Sequence, residues 1–168
     1  FNVFTIVTLL AGLLAGLAVM NAVSETVWAV DKLKKVEKDK IPGYNDEWKQ
    51  NYDAYEVDES IMEAVSAKVT PDLKIVVYFA FWCGDSEEHV PPFLKIIAKL
   101  GELSGQEIPV EYYEVQRKAS KDVKYYVEEF EVERVPTFIF YRDGKEIGRI
   151  IEHPKTSLPE DFLEIVFN

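Results

Sequence analysis

The sequence predicts an α/β fold, a mixed central β-sheet flanked by helices, preceded by an N-terminal hydrophobic helix. Three observations carry this. The run Lys74–Phe81, KIVVYFAF, is continuously apolar and rich in β-branched and aromatic residues, as a strand buried on both faces must be. Segments with helical spacing alternate with it and with two further strand-like runs. The Asp143-Gly144 pair then joins two runs as a tight turn, so an antiparallel hairpin follows a parallel part.

The elements follow in order. Residues 1–24 carry no charge, and this run is long enough to cross a hydrocarbon core of about 30 Å as a helix. It reads as a transmembrane anchor or an uncleaved signal segment, with Trp28 just past it as an interfacial aromatic. Gly12 and Gly16 form a GxxxG, a motif that can serve as a homodimer face, although small residues are common in such runs. Residues 25–57 read as a charged helix and a linker: DKLKKVEKDK continues the helix to Pro42-Gly43, and the polar stretch 44–57 leads into the domain.

Residues 58–168 hold the predicted domain. Ile61, Met62, Val65 and Val69 give a helix capped by Asp58 or Ser60 and stopped by Pro71. The strand Lys74–Phe81 comes next, and then a helix over Ser86–Leu103 that Pro91-Pro92 kinks or restarts. Pro109–Val115 is a strand, and Ser120–Phe130 a helix with Val123, Tyr126, Val127 and Phe130 on one face. Thr137–Tyr141 and Lys145–Ile151 form the hairpin. Ser157 and Glu160 make a capping box for a last helix ending near Phe167.

Composition narrows the function. There are 30 acidic and 19 basic side chains, a net charge of -11, and no basic stripe, which excludes nucleic acid as a partner. With 48% hydrophobic residues the chain can bury a core, so wholesale disorder is excluded. One cysteine rules out an internal disulfide. Two histidines, far apart in sequence, predict no metal site. His89 lies six residues after Cys83, off its helix face, so it makes no Cys–His pair; His153 reads as a surface residue.

The chemistry concentrates at Trp82-Cys83-Gly84-Asp85-Ser86, where the buried strand ends and a helix begins. Reactive groups collect at such strand ends. A helix N-terminus offers free N–H groups and partial positive charge, both of which favour a thiolate. Ser86 either hydrogen-bonds the Cys83 sulfur or caps the helix, and capping is the commoner use of serine there.

Residues 74–153 resemble a thioredoxin-fold domain. The resemblance rests on KIVVYFAF, WCGDS, a helix with Pro91, and VPTFIFYRDGKEIGR. It implies that Cys83 is the nucleophile and that Val135-Pro136 is a cis-proline loop facing it. Val135 would then pair with a substrate strand, and Trp82, Gly84 and Asp85 would line the site. Three departures stand out. Ser86 replaces the resolving cysteine, so a mixed disulfide needs an external thiol for release. Val77 replaces the family's buried acid. Asp85, Glu87 and Glu88 crowd the first helical turn; at about 7 Å each opposes a thiolate by on the order of 1 kcal/mol.

The implied function is a membrane-tethered monothiol thiol–disulfide oxidoreductase, with Cys83 and Ser86 as its catalytic pair and a protein or low-molecular-weight disulfide or thiol as partner. No metal or cofactor is implied. Residues 1–24 would engage the membrane; the resemblance places the domain on the extracytoplasmic side, whereas the lysine-rich segment 31–40 points to the cytoplasmic face. The alternative is a non-catalytic binding or chaperone module that uses the same groove.

Overall fold

The structure is a computed structural model that describes residues 33–116 and 130–167. Among the described residues five strands form one sheet: β1 (Leu33–Val36), β2 (Leu73–Phe79), β3 (Val110–Val115), β4 (Thr137–Arg142) and β5 (Lys145–Ile151). Their spatial order is β1-β3-β2-β4-β5. β2 runs parallel to β3, with Ile75 opposite Val110 and Phe79 opposite Glu114. β4 is antiparallel to both β2 and β5. The sheet is therefore mixed, as predicted. The hairpin turns at Asp143 (φ 51°) and Gly144 (φ 71°), the two consecutive left-handed residues that an Asp-Gly pair favours.

Among the described residues the α-helices are α1 (Asp46–Ala54), α2 (Glu59–Ser66), α3 (Gly84–Ser104) and α4 (Leu158–Phe167). All four contribute to one hydrophobic cluster with alternate residues of β2, Ile75, Val77 and Phe79. The intervening Val76 and Tyr78 are buried on the opposite face, where Tyr78 packs on Tyr113 and Phe130. This two-sided burial is why β2 reads as an unbroken apolar run. Phe93 of α3 touches Phe138 and Phe162, and each such buried ring contributes about 1.5–3 kcal/mol.

The caps follow simple rules. Asp58 accepts the amides of Ser60 and Ile61 at the start of α2. Ser157 accepts the Glu160 amide at α4, which is the serine half of the expected box. Close packing decides one position on β5: a Cβ added at Gly148 would lie 2.9 Å from Ile165 Cγ1 on α4.

Two expectations need correction. Of the helix predicted through 31–40, the described residues 33–40 form β1 and a 3₁₀ turn over Lys38–Lys40 instead. β1 is an edge strand whose lysines pair with β3: Lys35 with Glu111 at 3.1 Å and Lys34 with Glu114 at 3.8 Å. The predicted linker 44–57 contains α1, capped by Asn45 accepting from the Trp48 amide. Trp48 is fully buried against Phe79 and Phe81. Lys34–Asn168 accordingly forms one compact unit, which begins well before residue 58.

The helix expected over Ser120–Phe130 lies outside the described residues except for Phe130. So do the apolar run 1–24, its Gly12 and Gly16, and Trp28. Among the described residues no helix is long and apolar enough to cross a membrane.

Candidate functional site

Cys83 is the residue immediately before α3, in extended conformation (φ −103°, ψ 123°). Its amide donates to Ala80 O at 3.1 Å, and its carbonyl accepts the Glu87 amide at 3.0 Å. Both ends of the residue are thus fixed by the strand–helix junction. Its side chain is partly exposed. Cys83 Sγ donates to Val135 O at 3.2 Å. The Val135–Pro136 peptide is cis, and both residues are buried. The loop is pinned from its other side: Thr137 Oγ1 donates to Arg134 O at 2.7 Å, and the Glu152 amide donates to Pro136 O at 2.7 Å. The structure therefore joins Cys83, Val135 and Pro136, which sequence separates by about fifty positions.

Ser86 is fully buried one turn into α3. Its hydroxyl accepts from the Ala80 amide at 3.2 Å. This corrects the expectation that it caps the helix or bonds the Cys83 sulfur. The cap position belongs to Cys83, and Ser86 instead ties the first turn of α3 to the end of β2. Trp82 is 37% exposed and its Nε1 donates to Val115 O at 3.1 Å, so it roofs the end of β3 with a face left open to solvent. Gly84 is exposed, and a Cβ there would meet nothing within 4 Å. Asp85 lies 3.9 Å from His153 Nε2. Val77 is fully buried in the helical cluster.

Sequence reasoning missed three supports. Pro91 lacks an N–H, so the Glu87 carbonyl one turn earlier has no helical donor. Asn51 Nδ2 of α1 supplies one at 2.9 Å. α3 consequently runs through Pro91-Pro92 as one 21-residue helix rather than restarting. Lys95 Nζ caps the C-terminal carbonyls of α1, donating to Asp53 O at 2.9 Å and Tyr55 O at 3.0 Å. His89 Nε2 and His153 Nδ1 lie 3.1 Å apart, so the two histidines expected to be unrelated are partners. The Pro91 pattern signals that a carbonyl needs help, but only the fold shows where it comes from. No sequence signal marks the histidine contact.

His89 has 13% of its side chain exposed, and burial pushes its pKa below the ordinary imidazole value. Glu88 and Asp85 oppose that shift, while His153 adds to it. Among the described residues, no group of three or more His, Cys, Asp or Glu side chains is placed to hold a metal ion. Chemically, the site offers one partly exposed thiol beside a backbone carbonyl on a loop held by three hydrogen bonds.

Comparison with known proteins agrees with this geometry. Thioredoxin-2 of Saccharomyces cerevisiae is 33% identical over 95 residues, covering 55% of this chain and 81% of that protein. Thioredoxin H-type of Picea mariana is 28% identical over 98 residues, covering 58% and 68%. Thioredoxin H-type 1 of Nicotiana tabacum is 27% identical over 95 residues, covering 56% and 68%. The family model described as Thioredoxin matches residues 32–158, from β1 to the first residue of α4, and the chain belongs to that family.

Proposed function

We propose that the protein is a monothiol thiol–disulfide oxidoreductase tethered to a membrane. The observation that carries the chemistry is the placement of Cys83 Sγ, partly exposed at the start of α3 and 3.2 Å from Val135 O. In the reaction the Cys83 thiolate attacks one sulfur of a substrate disulfide. A new S–S bond forms, the substrate S–S bond breaks, and the second substrate sulfur leaves as a thiolate. Ser86 has no thiol with which to repeat the attack, and its hydroxyl is engaged by Ala80. Release therefore needs an external thiol, which attacks the adduct at the Cys83 sulfur or at the substrate sulfur. Attack at the substrate sulfur regenerates the Cys83 thiolate and completes the exchange. The Val135 backbone lies where an extended substrate strand would run beside the thiol, with Trp82, Gly84 and Asp85 at its rim.

The tether is the uncharged run 1–24, long enough to span a bilayer, with the domain on the extracytoplasmic side. The test is non-reducing electrophoresis of membranes bearing the full chain or its Cys83→Ser variant. The reading expects slower, thiol-sensitive species only with Cys83, retained in the membrane pellet. The same species in the variant, or none in either, contradicts the chemistry. Full release from the pellet contradicts the tether.

A further inference from the structure

The segment that follows β5 touches both sides of the Cys83 groove. Glu152 sits at φ 57°, a left-handed position that a non-glycine residue adopts only when its surroundings hold it. The His153 amide donates to Ile151 O at 2.7 Å, closing a γ-turn around Glu152. Two further contacts fix that turn to the cis-proline loop: the Glu152 amide to Pro136 O at 2.7 Å, and the Glu152 carboxylate to Arg134 at 2.6 Å. A third fixes it to α3, through the 3.1 Å contact of His153 Nδ1 with His89 Nε2. A closed circuit results: Cys83 to Val135-Pro136, Pro136 to Glu152, His153 to His89, and α3 back to Cys83.

We infer that the His89–His153 pair is a proton-sensitive latch that holds the Val135–Pro136 side of the groove against the helix bearing Cys83. The inference rests on the reading of that groove as the substrate site. Between two imidazoles one ring nitrogen donates and the other accepts, so the contact stands while one of the two facing nitrogens carries a proton and the other is bare. When both rings are imidazolium, each presents an N–H, the hydrogen bond is lost, and like charges face each other. The groups facing the pair are Asp85 and Glu88 from α3, at 3.9 Å from His153 and 4.0 Å from His89. Glu152 lies beside His153 but is already engaged by Arg134. A proton on each facing nitrogen leaves no acceptor between the rings. Acid thus opens the latch, and the strained Glu152 turn loses one of its three anchors.

The test follows the Glu152 amide by nuclear magnetic resonance in the full chain, between pH 8 and pH 5. The readout is its hydrogen-exchange protection corrected for intrinsic rate. Wild type should lose about tenfold protection as the second histidine charges, the worth of roughly one hydrogen bond. His89→Gln and His153→Asn keep a neutral hydrogen-bonding group and cannot charge twice, so their profiles should stay flat. A flat wild-type profile, or an equal loss in both variants, overturns the latch. A pH-dependent profile in a chain whose Cys83 forms no mixed disulfide overturns the substrate-site reading and leaves the latch standing.

Discussion

Cys83 Sγ donates its proton to Val135 O across 3.2 Å, joining the start of α3 to the loop that precedes β4. The bond holds the thiol and the cis-proline backbone in one frame. In the proposed reaction the sulfur gives up this bond before it attacks, and the Val135 carbonyl is then free to meet an incoming backbone N–H.

Restoring a second thiol should shorten the life of the adduct. Ser86 lies one turn after Cys83 and is fully buried with its hydroxyl on the Ala80 amide. Ser86→Cys places a resolving sulfur there, so a glutathione adduct on Cys83 should decay without added thiol. Intact-mass measurement over time reads this directly. Because sulfur is a weaker acceptor for Ala80, the variant should also lose about 1 kcal/mol of stability in urea titration.

Asn51→Ala should weaken the fold although Asn51 is remote from the thiol. Its Nδ2 is the donor that Pro91 cannot provide to the Glu87 carbonyl. Leaving that carbonyl unpaired in a partly buried setting costs about 1–2 kcal/mol. Urea unfolding should show a lower midpoint with an unchanged slope.

Gly148→Ala should be destabilising by about 1–3 kcal/mol, because the new Cβ meets Ile165 at 2.9–3.0 Å. Ile165→Ala in the same chain should recover part of the loss. A double-mutant cycle in thermal unfolding measures the coupling, which should be favourable and above about 0.5 kcal/mol.

Stability should depend on pH through His89. Its pKa is lowered in the folded state by burial first, with Glu88 and Asp85 opposing. A histidine lowered on folding binds its proton more readily when unfolded. The stability it contributes is therefore fully present above the ordinary value of about 6.5 and is lost as pH falls through the folded value. Urea midpoints from pH 8 to pH 5 should fall on the acid side in wild type and fall less in His89→Gln.

The parts of the fold that were legible were those in which one residue class does one job. β2 is apolar because both its faces are covered, and Asp143-Gly144 turns because both residues adopt positive φ. Cys83 and Pro136 were legible as motifs. β1 and α1 were not. LKKV buries no residue fully, and α1 buries only Trp48, so neither shows a periodicity that a nine-residue window can detect. Ser86 was misread because the capping rule assumes the helix begins after the serine, whereas it begins after Cys83. The His89–His153 contact joins a residue of α3 to one just past β5, 64 positions apart, and no local pattern encodes it.

The most direct test of the account is the intact mass of the full chain after exposure to glutathione disulfide at neutral pH. The account predicts one glutathione per wild-type chain, none on Cys83→Ser, an adduct that persists until thiol is added, and unchanged secondary structure in both proteins. A folded wild-type chain that remains unmodified under conditions that saturate a simple cysteine peptide would contradict it.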